Sequence, residues 1–134
     1  MAVSDTGRIM IDLEEYKMII SDLLDELPKE FFRELTGGVI VSEALVIPDY
    51  ARQDDLFIMG KYQVSAGMRQ IILYKGSFDK AYPHADKTQA YGILRGILRH
   101  EFRHHMESLA GISNSSSLKA EDEREKQEYI ERHG

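Results

Sequence analysis

The sequence predicts an α+β fold in a single domain over residues 1–134, and three observations carry that expectation. Beyond Asp12, apolar residues recur at three- and four-residue steps with acids between them, as an amphipathic helix requires. Two β-rich runs, residues 56–64 and 69–75, are parted by Ser65-Ala66-Gly67, a connection of hairpin length. Asp86, with Gln89 three residues later, is a capping pair that opens a long helical pattern near Lys87. A length of 134 residues suits one domain and is enough to bury a core.

The elements follow in order. Residues 1–10 are polar and read as a leader. Asp12 caps a helix that buries Leu13, Tyr16, Ile19, Ile20, Leu23, Leu24 and Leu27, and Pro28 ends it. Residues 29–35 predict a second short helix closed by Thr36-Gly37-Gly38, with Phe31 and Phe32 as core anchors. Val39-Ile40-Val41 opens the β part, and Leu45-Val46-Ile47 reads as a second short run stopped by Pro48. The polar stretch 49–55 is a loop whose acids Asp54 and Asp55 are solvated, and the two runs after it are antiparallel neighbours. Residues 76–85 read as a connecting loop, before a helix with Leu94, Leu98, Phe102 and Leu109 on its buried face. Gly111 stops that helix in a left-handed conformation. From Leu118 the chain is strongly charged, with opposite charges at helical spacing, which predicts a solvated C-terminal helix docked by Leu118, Tyr129 and Ile130.

The net charge of −6 argues against affinity for nucleic acid phosphates or anionic lipid, so neither nucleic acid nor membrane is an expected partner. No apolar run is long enough to span a bilayer, the N-terminus lacks the layout of a secretory signal, and the expected location is cytoplasmic. With no cysteine in the chain, a metal would be held by nitrogen and oxygen.

Chemistry concentrates at His100-Glu101-Phe102-Arg103-His104. Helical residues four apart stack on one side, so the imidazoles of His100 and His104 meet the spacing of two ligands on one zinc ion. Glu101 is rotated by about 100° from His100, which sets its carboxylate beside the metal as a base for water. Gly96, one turn before His100, would leave room for a strand or substrate to come close. His105 points toward the core and reads as a buried, hydrogen-bonded histidine, while His84 and His133 are expected to be unligated. Arg99 and Arg103 are expected to pair with nearby acids.

Catalytic zinc takes three protein ligands and a water, so two histidines need a partner. Glu107 lies on the same stripe, but its backbone is about 10 Å from that of His100 along the axis. Beyond the Gly111 turn the first acids are Glu121, Asp122 and Glu123. The residues alone leave Glu107 and these acids open.

The segment 99–111, the Pro28 and Phe31-Phe32 opening and the Tyr-Lys-Gly-Ser-Phe run at 74–78 together resemble the small bacterial zincin-like metallopeptidase family. The resemblance implies a minimal zincin: a short mixed β-sheet packed on an N-terminal helix and on the long active-site helix, with one edge strand beside the metal. It also implies zinc as cofactor, His100 and His104 as ligands, Glu101 as the catalytic base and a peptide or protein as substrate, extended along residues 56–64 or 69–75. The family pattern His-Glu-x-x-His-x-x-Gly-x-x-Asp is not met directly, because Glu107 and Ala110 occupy the last two places. Treating residues 107–120 as an insertion that delays the turn to Gly111 aligns 121–123 with the acidic end and makes Asp122 the third ligand. The alternative from another class is a metal-binding or regulatory domain that keeps the shape with little or no turnover.

Overall fold

Two capping boxes set where the two main helices of this computed structural model begin. The structure describes residues 11–48 and 57–111. Helix α1 spans Leu13–Asp25, and its N-cap Asp12 accepts from the Glu15 amide at 2.8 Å while the Glu15 carboxylate accepts from the Asp12 amide at 3.2 Å. The same reciprocal pair, Asp86 with Gln89, opens the 23-residue helix α3, Lys87–Leu109. Each box satisfies two amides that a helix start leaves without intrahelical acceptors.

Between these helices lie the strands β1 (Gly38–Ser42), β2 (Gly60–Ser65) and β3 (Met68–Tyr74) and a short helix α2 (Lys75–Ala81). The sheet order is β1-β3-β2, with β1 parallel and β2 antiparallel to β3, so the α+β class and the mixed sheet stand. The β2–β3 hairpin closes in register Ser65 to Met68, leaving Ala66 and Gly67 as a two-residue loop with φ of 50° and 82°. Positive φ at both positions matches the twist of the flanking strands, and glycine adopts it without the clash a Cβ brings.

The core lies between the sheet and the two long helices. Tyr16, Ile19, Ile20 and Leu23 of α1 meet Ala90, Leu94, Leu98 and Phe102 of α3 and Ile71 and Leu73 of β3, all buried. Each of the Ile, Leu and Phe side chains contributes about 1.5–3 kcal/mol relative to exposure. Phe32 meets Phe102 edge-on at 5.3 Å between centroids and Phe31 lies at 6.2 Å, so the Phe31-Phe32 pair anchors to the core as expected. At the rim, the Arg95 guanidinium forks onto the Glu26 carboxylate at 3.0 and 2.8 Å and the Tyr91 hydroxyl donates to Asp22, tying α3 to α1.

Three expectations about elements change. Residues 29–35 form one 3₁₀ turn, Lys29–Phe32, in place of a helix. Residues 76–85 begin with α2, where Phe78 packs edge-on against Tyr16 and buried Lys75 pairs with Asp79 at 2.7 Å. Leu45-Val46-Ile47 is not a strand, and α2 is the reason: the Ser77 hydroxyl accepts from the Val46 amide at 2.8 Å and donates to its carbonyl at 3.3 Å. That carbonyl also accepts from the Ile58 amide at 2.9 Å. A hydroxyl and one amide thus meet the hydrogen-bonding needs a ladder would have met. The leader 1–10, the loop acids Asp54 and Asp55, and the charged C-terminal helix with Glu121, Asp122, Glu123 and His133 lie outside the described residues.

Candidate metal centre

Helix α3 carries every described member of the site. Its heptad-like spacing turns Leu94, Leu98 and Phe102 into the core, which leaves His100 and His104, about 40° apart in helical angle, on one flank. Their Nε2 atoms lie 3.1 Å apart, with the rings nearly perpendicular at 82°. Two nitrogens each about 2.0–2.1 Å from one tetrahedral ion would stand about 3.3 Å apart. The pair therefore fits a shared metal, and the same distance also suits an Nε2–H donated from one ring to the other.

Behind His104, on the side away from the pair, Oε1 of Glu107 lies 3.9 Å from Nδ1. That is beyond hydrogen-bond reach, yet it places a negative charge where it favours a proton on Nδ1 and so leaves Nε2 to act as donor to a metal. Glu107 faces the wrong nitrogen to be a third ligand. Among the described residues no group of three or more His, Asp or Glu side chains is arranged to hold an ion. Asp122 and Glu121 lie outside them.

Glu101 is 6% exposed and faces β2. The contact is made at Gly60, where an added Cβ would stand 3.2 Å from Glu101 Oε2 and 2.9 Å from Ile97 Cγ2. Close approach of the strand is thus permitted by Gly60. At Gly96, expected to leave room for a strand or substrate, no atom of the described residues lies within 4 Å of an added Cβ, and the described strand approaches α3 at Gly60. A glycine inside a β-rich run signals a close neighbour, and that cue was present at Gly60.

Strand β2 runs beside α3 in the same direction. Gly60 meets Ile97 and Glu101, the Tyr62 hydroxyl lies 2.9 Å from His105 Nδ1, and Arg69, opposite Val64, donates to Ser108 at 3.2 Å. His105 is fully buried, as expected, and its Nε2 donates to the Arg33 carbonyl at 2.8 Å. Nδ1 then carries no proton and accepts from Tyr62. Burial, the main cause, pushes the His105 pKa below the ordinary histidine value. Sequence pattern gave no sign of Tyr62, because the contact joins residues 43 apart.

The hairpin fixes what β2 presents outward. Met59 accepts from the Tyr74 amide at 3.0 Å, so in an antiparallel ladder residues 59, 61, 63 and 65 bond to β3 while the main-chain groups of Gly60, Tyr62 and Val64 point away from it. Among the described residues β2 is an edge strand beside Glu101. Residues 69–75, the other segment expected to receive a substrate, supply the central strand and have no open edge.

The chain is similar to a solved structure. That structure is a conserved hypothetical protein from Thermo thermophilus, matched with a TM-score of 0.63 at 28% identity over 75% of this chain and 98% of the other. No family model and no curated protein matches. The neighbour shares the fold over nearly its full length, and its name assigns no activity. No described helix is long and apolar enough to cross a membrane.

Proposed function

We propose that this chain is a zinc-dependent peptidase of the minimal zincin kind. The observation that carries the reading is the pair of Nε2 atoms at 3.1 Å with the Glu101 carboxylate one residue along the helix, beside an open strand edge. His100 and His104 would hold the ion, with Asp122 from beyond the Gly111 turn as the third ligand. Zinc, when bound, would supply Lewis acidity and lower the pKa of a water it holds to about 7. The chain's own groups do the rest. Outward amide and carbonyl groups of Gly60 and Tyr62 pair with an extended peptide and set its backbone beside the helix. Glu101, beside the Gly60 backbone, accepts the proton of the attacking water and returns it to the leaving amine. Glu107 keeps His104 in the tautomer that offers Nε2.

Two measurements test this. Zinc content after purification without added metal should be near one per chain in the wild type and fall in His104→Ala; equal content in both would end the reading. Cleavage of a peptide library should be seen with wild type and lost in Glu101→Gln, which preserves shape while removing the base. Bound zinc with no cleavage by either protein would instead establish the binding or regulatory alternative.

A further inference from the structure

The register of β2 leaves a charged side chain on the open strand, on the side away from the helices. Ile71 and Leu73, both fully buried, mark the helix-facing side of β3, and Lys61 is opposite Ile72, which lies between them. Lys61 therefore projects from the other face, where it is exposed. Ion pairs among the described residues engage Arg33, Arg69, Lys75, Arg95 and Arg103 but not Lys61. By register its neighbours on that face are Met59, Gln63 and Ile72, none of them charged.

Main-chain geometry sets what such a lysine meets. The amide and carbonyl of Lys61 bond to β3, and those of Gly60 and Tyr62 point outward. A peptide added antiparallel, the more stable pairing per residue, bonds at Gly60 and Tyr62. Its residue opposite Lys61 then falls in a non-hydrogen-bonded pair, where side chains come closest; opposite charges there attract and like charges repel. We propose that Lys61 selects peptides with Asp or Glu at that position. Glu101 lies against Gly60, so the peptide residue opposite Gly60 borders the cleaved bond. In an antiparallel peptide the residue opposite Lys61 comes just before it, which makes the acid the first or second residue on the N-terminal side of the cut. This selectivity rests on β2 being the peptide-binding edge of the peptidase proposed above. It runs against the charge of the whole molecule, since a chain at −6 attracts basic peptides in general.

A randomised peptide library tests this with the zinc-loaded full chain. Wild type should cut about tenfold faster with Glu than with Lys at one of the two positions before the bond. The ratio should shrink toward one at about 1 M salt, where the Debye length is about 3 Å. Lys61→Glu should invert the preference and Lys61→Gln should abolish it. A lysine that merely keeps an open edge from pairing with a second copy predicts no such inversion. The same library captured by Glu101→Gln in chelator reads binding apart from chemistry. Capture with the acidic preference, but no cleavage by wild type, would end the peptidase reading and leave the role of Lys61 standing. Cleavage without a charge preference, or with one that Lys61→Glu does not move, would overturn the role of Lys61 and leave the peptidase standing. Peptides neither captured nor cut would overturn both.

Discussion

The Tyr62 hydroxyl and His105 Nδ1, 2.9 Å apart, join the edge strand β2 to the buried face of α3. The far side of the same imidazole donates to the Arg33 carbonyl, just past the 3₁₀ turn, so one ring links three segments. Tyr62→Phe keeps the aromatic contact and leaves a buried ring nitrogen without its donor. The expected cost is about 1–3 kcal/mol in urea unfolding. A loss below about 0.5 kcal/mol would mean that the bond adds no net stability.

Stability should also depend on pH through His105. Its folded pKa is depressed by burial, so below the ordinary histidine value of about 6.5 the unfolded chain binds a proton that the folded chain refuses. The contribution is therefore fully present above about pH 6.5 and is lost as pH falls through the lower folded value. Urea unfolding in chelator from pH 7.5 down to 5 should show a steeper fall for wild type than for His105→Gln, the other histidines being common to both. Parallel curves would show that His105 is not the group responsible.

At Gly76 the neighbours are backbone: an added Cβ would stand 2.5 Å from the Glu43 carbonyl oxygen and 2.6 Å from that of Ala44. Neither can turn aside as a side-chain end can. Gly76→Ala should therefore cost about 3 kcal/mol or more, a large share of a domain's stability. Ser77→Ala, which leaves the 43–46 segment in place but removes the hydroxyl that serves Val46, should cost about 1–3 kcal/mol. The ranking of the two by thermal melting distinguishes a steric barrier from a missing hydrogen bond.

Local chemistry was legible in the sequence wherever partners lie three or four residues apart. The Asp12 and Asp86 caps, the hairpin at Ala66-Gly67, the stop at Gly111 and the pairing of His100 with His104 all belong to that class. Contacts across the fold were not legible. Val46 has the residue type of a strand, and what keeps it out of the sheet is a serine 31 residues away. Residues 76–85 read as a connecting loop, yet the first of them lie in α2, and Gly76 is where the 43–44 backbone passes close. Glu107 was rightly placed beside His104, but its distance along the helix could not say which ring nitrogen it faces.

Gly60 separates the two roles proposed for α3. A methyl there meets Ile97 Cγ2 at 2.9 Å, Glu101 Oε2 at 3.2 Å and Glu101 Cγ at 3.3 Å, all side-chain atoms that can give. Gly60→Ala should thus cost only about 1–2 kcal/mol. Zinc content should stay at the wild-type level, because His100 and His104 are not among those contacts. Peptide cleavage should fall about a hundredfold, since a shift of about 1 Å in a reacting group costs that much. Adding Ile97→Ala should recover stability but little of the rate, as it relieves the aliphatic clash and leaves the methyl against the carboxylate. If Gly60→Ala cleaves as fast as wild type while Glu101→Gln does not cleave at all, the strand does not set the position of the base, and Glu101 is held from elsewhere.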